Sequence, residues 1–189
     1  MKFKKILGTA LLALLFSTVG LLAKPDTTQA AYFRPENQYN VYDSTATVTG
    51  YWGANLFSGY DEASHPFLRI LPNGSQWRVF GYVKNGDTYW YDLGDNQYVQ
   101  GSQVRVPVAT AGDAILNVAA KYGENPSNDY GWAHMLNGGS DTWYYNGSWG
   151  SPYVAVDEAY FPAGATGVIR TREFVVYPNG DAFQVNSFF

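Results

Sequence analysis

Few residues in this sequence suit metal or acid–base chemistry. The chain has two histidines and no cysteine: His65 lies in a loop-like Ser-His-Pro stretch, and His134 lies in a stretch with strand-like alternation. A zinc site needs three or four Cys, His or carboxylate ligands at workable spacing. Because the two histidines are isolated, we expect no metal site and no cofactor. We interpret His134 as an ordinary strand residue.

Hydrolysis needs an activated nucleophile or a pair of facing carboxylates. The sequence contains no Gly-x-Ser-x-Gly motif, and its adjacent acidic pairs are Asp61-Glu62 and Asp157-Glu158. Neighbours on a strand point to opposite faces, so Asp157 and Glu158 are not expected to share a site. Asp61 and Glu62 lie in a polar loop that we interpret as solvated surface. We therefore expect no enzymatic activity. An enzyme that modifies the bacterial cell wall and uses Asp61 and Glu62 is a third hypothesis, after the two non-catalytic hypotheses given at the end of this subsection.

Aromatic residues are unusually frequent, at 17% of the chain. Amphipathic rings on a strand face can stack on sugars or form a patch for a partner. Within residues 88–92 the rings fall on both strand faces, so one set lies outside a single-sided core. The alternative is that bulky rings simply fill small cores. The candidate ligand-binding face consists of Trp77, Tyr89, Trp90, Tyr91 and Tyr98.

Alternation with a period of two organises the first half of the chain. Two Asn-Gly turns, Asn73-Gly74 and Asn85-Gly86, separate runs of residues that favour half-buried strands. The predicted strands are residues 39–43, 46–51, 67–71, 77–83, 88–93 and 98–106. Many short strands close together in sequence predict a small β-barrel over residues 31–106.

Residues 107–189 are predicted to form a small α+β domain. Apolar residues recur at helical spacing over residues 111–122, Thr110 and Asp113 form a capping pair, and Gly123 ends the helix. Further strands are predicted at residues 130–137, 142–145, 153–161, 168–177 and 182–188. A helix of this length can cover one face of such a sheet, so we place the domain boundary near residues 107–111. The predicted fold class is mainly β or α+β.

Part of the first half resembles a known family. Its pattern is a strand with a tryptophan, an Asn-Gly hairpin and a closing aromatic strand, carried by Trp77, Asn85-Gly86, Tyr91, Gly94, Asn96 and Tyr98-Val99. Over about residues 38–106 the chain resembles the surface-layer-protein A domain of lactic-acid bacteria, a bacterial SH3-like wall module. The resemblance implies an SH3-like barrel and either attachment to cell-wall polymer or participation in a surface layer. Residues 107–189 more loosely resemble helix-plus-sheet domains of uncharacterised exported proteins of those bacteria, which implies no activity.

The N-terminus has the pattern of a signal peptide. Three lysines precede an uncharged apolar run at residues 6–23, and small residues follow before the first aromatic. We predict a signal peptide at residues 1–30, with cleavage after Ala30 or alternatively after Ala31. An uncleaved anchor is the other interpretation, because the run is just long enough to span a bilayer. After cleavage we expect no membrane span, and export without cysteine is typical of a Gram-positive bacterium.

The mature chain is acidic. Removal of residues 1–30 takes away four lysines and one aspartate, which leaves eight basic and fifteen acidic residues and a formal charge of −7. We expect no nucleic-acid partner, because phosphate contacts need clustered Lys and Arg, and attraction to anionic wall polymers is disfavoured for the same reason. The sequence predicts a non-catalytic, exported cell-surface protein that contacts cell-wall polymer or a surface glycan. The alternative is a freely secreted effector or inhibitor.

Overall fold

The computed structural model describes residues 36–61, 65–124, 130–134, 144–145, 152–160 and 169–187. These residues belong to one compact unit that runs from Ala31 to Phe189. The predicted signal peptide at residues 1–30 and its cleavage site lie outside the described residues, so both stay predictions.

The first sheet is antiparallel and contains seven strands. In chain order they are β1 (Asn40–Val48), β2 (Ala54–Ser58), β3 (Phe67–Leu71), β4 (Gln76–Asn85), β5 (Thr88–Asp92), β6 (Gln97–Gln100) and β7 (Val104–Arg105). Their order across the sheet is β3-β2-β6-β5-β4-β1-β7. The edges are therefore β3 and β7. Because this path does not close, the SH3-like barrel stays a proposal.

Parts of this sheet differ from the sequence prediction. One continuous strand, β1, replaces the two strands predicted within residues 39–51, and β2 was not predicted because polar residues interrupt its apolar pattern. The strand predicted at residues 98–106 is broken by a 3-10 turn at Gly101–Gln103. At Gly101 an added Cβ would lie 2.7 Å from the Cβ of Ala120, so the break depends on a contact that is distant in sequence.

A helix and a second antiparallel sheet follow. The helix α1 (Ala111–Tyr122) begins at a capping box, in which the Asp113 carboxylate accepts a 2.8 Å hydrogen bond from the Thr110 N–H. The predicted helix, its capping pair and its end at Gly123 are confirmed. The second sheet contains β8 (Tyr130–His134), β9 (Tyr144–Tyr145), β10 (Pro152–Tyr160), β11 (Ile169–Val176) and β12 (Ala182–Ser187). Its order is β12-β11-β10-β8, and β9 pairs with β10. The predicted mainly β or α+β class is confirmed for the described residues.

One hydrophobic core joins both sheets and the helix. Leu56 and Val79 of the first sheet, Leu116 of α1 and Phe174 of β11 belong to the same cluster of buried side chains. The middle of the helix is buried on all sides, because the consecutive residues 114–120, which span almost two turns, are all buried. Apolar burial of this kind is the main favourable contribution to folding. The predicted domain boundary falls between β7 and α1, and separate folding of the two halves stays a prediction.

Polar contacts at the C-terminal end of α1 also connect the two sheets. Glu124 accepts hydrogen bonds from Lys84 Nζ at 2.6 Å and from Tyr89 Oη at 2.7 Å, and the ion pair is buried. From the second sheet, Arg172 donates to the main-chain oxygens of residues 122 and 123 at 3.2 and 3.0 Å. Carbonyls at a helix end have no partner within the helix, so Arg172 satisfies groups that would otherwise need water.

Candidate functional site

The structure places the predicted aromatic face mostly in the interior. Tyr89, Trp90, Tyr91 and Tyr98 are buried, and Trp77 is partly buried against the main core. These five residues therefore do not form an exposed face. The alternative interpretation, that the rings fill the core, describes the four buried rings.

Both faces of β5 are covered, which explains this burial. Tyr89 and Tyr91 point into the main core, on the face that packs towards the helix. Trp90 points to the opposite face and packs in a second cluster with Phe57 and Tyr98. The ring centroids of Phe57 and Trp90 are 5.6 Å apart in an edge-to-face arrangement, a favourable geometry for aromatic pairs. The alternation of side chains along β5 correctly predicted that its rings lie on two faces. It could not predict that a second hydrophobic cluster covers the face of Trp90.

A different aromatic pair is exposed, at the turn between β1 and β2. Tyr51 and Trp52 are 81% and 85% exposed. Their ring centroids are 4.7 Å apart and their planes are nearly perpendicular, at 89°. Two large, mostly exposed rings that pack on each other form a preassembled apolar surface in solvent. Tyr51 and Trp52, named the aromatic turn below, are the candidate binding site.

The backbone under the aromatic turn is held in one conformation. The Gly53 N–H donates to the Gly50 oxygen at 2.9 Å and closes a β-turn around the two rings. Gly53 has φ +96°, and a Cβ added there would lie 2.3 Å from the Leu71 oxygen. Gly50 is equally restricted, because its Cβ would lie 2.2 Å from the Gly53 oxygen. Glycine is required at both positions, so the turn geometry is specified by the sequence.

Gln103 connects the aromatic turn to the rest of the sheet. Its main-chain oxygen accepts hydrogen bonds from the N–H groups of Thr49 and Gly50 at 2.9 and 3.3 Å. Its side-chain Oε1 accepts from the Asn55 N–H at 2.7 Å. One residue thus supports both strands that lead into and out of the turn.

Sequence reasoning missed the aromatic turn. Tyr51 was placed at the end of a predicted strand, and Trp52 was assigned no role. The usable signal was the pair of glycines that flank two adjacent aromatics in Gly50–Gly53. Such glycines mark a tight turn, and rings at the tip of a turn have few neighbours that could bury them.

The carboxylates of the adjacent residues Asp157 and Glu158 are held by separate ion pairs. Asp157 is paired with Arg170 at 3.1 Å, whereas Glu158 accepts from Arg172 Nε at 2.8 Å. Each carboxylate has its own arginine, in agreement with the prediction that the two do not share a site. Asp61 is described, but its predicted partner Glu62 lies outside the described residues.

Asp157 is nevertheless an unusual carboxylate. Its side chain is 3% exposed, and its Oδ1 has no hydrogen-bond partner among the described residues. Burial raises its pKa to about 6, the positive charge of Arg170 opposes this shift, and the negative charge of Glu173 adds to it. A buried carboxyl group of this kind changes the pH dependence of stability.

The histidines also lack a metal-like environment where they are described. The His65 ring stacks on Tyr60 at a centroid distance of 6.1 Å, and its Nδ1 lies 3.2 Å from the Asp61 oxygen. Within the described ranges, no group of three or more His, Asp or Glu side chains is placed to hold a metal ion. The His134 side chain lies outside what the structure describes.

Comparison of the chain with protein-family models, curated proteins and solved structures found no match. Over the residues that the structure describes, no helix combines the length and the apolar character needed to cross a membrane.

Proposed function

We propose that this protein is a non-catalytic, exported module of the cell surface that binds a glycan of the cell wall through the aromatic turn. The observation that carries the proposal is the exposure of Tyr51 and Trp52 on a turn of fixed geometry. The proposal includes the signal peptide at residues 1–30 and a barrel domain at residues 31–106, for which the resemblance to surface-layer proteins over about residues 38–106 implies an SH3-like fold.

Ring stacking fits the chemistry of a sugar chain. Sugar rings present C–H groups on their faces, and an aromatic ring buries a large apolar area when it covers such a face. Because the turn is already held by glycines and Gln103, binding loses little conformational entropy. Rigid aromatic anchors of this type contribute most of the affinity in many binding sites.

Charge also favours stacking over ionic attraction. Residues 44–60, which include the aromatic turn, contain no charged side chain. The mature chain as a whole carries a formal charge of −7, so a polyanionic wall polymer is repelled at long range. An uncharged or weakly charged glycan needs no charged side chain at the turn and is not repelled by the negative chain. Its binding should therefore persist in salt.

The test is co-sedimentation of the purified mature protein with native cell walls. We expect Tyr51→Ala and Trp52→Ala each to weaken binding by about tenfold or more, since each removes one stacking ring. Phe80→Ala, which removes an exposed ring of β4, is the matched control and should bind like the wild type. Binding at high salt should equal binding at low salt. Equal binding by the turn variants and the wild type would show that the proposed site is wrong.

Fractionation of expressing cells tests location separately. We expect the protein in the wall fraction, with an N-terminus at Ala31 or Tyr32 depending on the cleavage position. Recovery only from the culture medium would contradict surface association and support the secreted effector or inhibitor instead. Protein that retains residues 1–30 and stays in the membrane would support the uncleaved anchor.

A further inference from the structure

The edge strand β3 is a second exposed feature, and its last residues, Ile70 and Leu71, lie next to Gly53 of the turn that carries Tyr51 and Trp52. Phe67, Leu68, Arg69 and Ile70 are all exposed, and Leu71 is the one buried residue of the strand. β3 pairs with β2 on one side and is the end of the hydrogen-bonded strand order. A sheet edge offers backbone N–H and C=O groups that can pair with another extended chain.

The two faces of β3 have different chemistry. Ile70 pairs with Asn55, whereas Arg69 pairs with Leu56, so these neighbours point to opposite faces of the sheet. The guanidinium of Arg69 lies over the Trp77 ring at 4.9 Å from its centroid. An extended chain added to this edge would therefore meet apolar side chains on one face and a cation on the other.

Arg69 differs from the other arginines of the described residues. Arg78, Arg105, Arg170 and Arg172 each form an ion pair with an aspartate or glutamate. Within the described ranges Arg69 has no such carboxylate. Residues 65–86 contain three basic residues and no acidic one, although the chain as a whole is acidic. Among the described residues, no carboxylate neutralises the positive charge of Arg69 at this edge.

We propose that the β3 edge binds an extended, acidic and apolar segment of a partner polypeptide as an added strand. The segment places a carboxylate beside Arg69 and apolar residues on the face of Ile70, and its backbone pairs with the outer side of β3. Opposite charges on neighbouring strands stabilise the pairing, and like charges destabilise it. Main-chain hydrogen bonds supply affinity in this mode, and alternate side chains supply specificity.

Charge argues against a second copy of the chain as the occupant. An antiparallel pair of β3 strands that met at their centre would bring Arg69 of one copy beside Arg69 of the other. Both copies would also carry the net negative charge of the mature chain. A short partner segment with one carboxylate avoids the contact between two Arg69 guanidinium groups and carries far less negative charge than a second copy of the chain.

The test uses two fluorescein-labelled peptides and the full mature chain. The first is Ser-Thr-Val-Glu-Val-Thr-Ser, and the second has Lys in place of Glu. We expect the wild type to bind the acidic peptide more tightly by roughly tenfold. Arg69→Glu should reverse this preference, and Arg69→Lys should keep it. Methylation of alternate backbone nitrogens of the acidic peptide should abolish binding, because it removes the ladder hydrogen bonds.

Other outcomes would overturn the proposal. Absence of binding at about 1 mM peptide, unchanged preference in Arg69→Glu, or equal binding of the methylated peptide would each do so. Concentration-dependent dimers in sedimentation that Ile70→Lys abolishes would make a second copy the occupant. Trp52→Ala should leave peptide binding unchanged, so that failure of the glycan proposal and failure of the strand proposal can be told apart. Circular dichroism confirms that each variant is folded.

Discussion

At the scale of single residues, Asp157 shows how burial changes the behaviour of a carboxylate. It lies on β10 with Arg170 and Glu173 of β11 as charged neighbours, and its Oδ1 makes no hydrogen bond to any described residue. The half-exposed Arg170 does not compensate for the lost hydration, so the pKa rises from 3.8 to about 6. The folded state therefore holds this proton more tightly than the unfolded state.

The raised pKa predicts an inverted pH dependence for this residue. Its contribution to stability is greatest below about pH 4 and is lost as the pH rises through about 6. Asp157→Asn removes the titration, so we expect Tm of the wild type to fall relative to the variant between pH 4 and pH 7. Thermal melts monitored by circular dichroism across this range measure the difference.

Asp43→Asn is the control for the Asp157 experiment. Asp43 forms an ion pair with Arg78, but both side chains are mostly exposed. Exposed pairs contribute little to stability, so this variant should follow the wild type at every pH. Parallel pH profiles for Asp157→Asn and the wild type would contradict the assignment of the raised pKa.

At the scale of elements, sequence patterns predicted the structural features that depend on contacts between residues close in the sequence. The helix and its capping box at Thr110 were predicted because periodicity and capping act within a few residues. Contacts between distant residues were not predicted, such as Arg172 at the helix end and the close approach of Gly101 to Ala120. The candidate site failed for the same reason, since the second cluster that buries Trp90 is assembled from separate strands.

The aromatic turn allows a test of element geometry against function. Gly53→Ala places a Cβ 2.3 Å from the Leu71 oxygen in a backbone with positive φ, and we expect a loss of about 2 kcal/mol of stability. It should also weaken wall binding, because the rings move. Urea unfolding and wall co-sedimentation measure the two effects.

Gly74→Ala is the matched control for the turn. Gly74 also has positive φ, at +77°, but an added Cβ there has no neighbour within 4 Å. The variant should lose only the conformational part, about 1 kcal/mol, and should bind walls like the wild type. If Gly53→Ala and Gly74→Ala lost the same stability and the same wall binding, the close contact between Gly53 and the Leu71 oxygen would contribute to neither.

At the scale of the whole molecule, the question is whether the two predicted domains fold as one. The helix contributes to a core shared with both sheets, and Glu124 joins its C-terminal end to Lys84 and Tyr89 of the first sheet. A shared core favours a single cooperative transition. Domains with independent cores would instead unfold in separate steps.

Glu124→Ala separates these possibilities. It leaves the buried Lys84 ammonium without its carboxylate, and breaking a buried ion pair costs about 3 to 5 kcal/mol. We expect hydrogen exchange to show equal loss of protection in β4 and in β11, since both depend on the same core. Asp87→Ala, at an exposed turn, should change neither. Loss of protection confined to residues 107–189 would instead support two separately folding domains with a boundary near residue 107, because only a unit with its own core can open while the other stays closed.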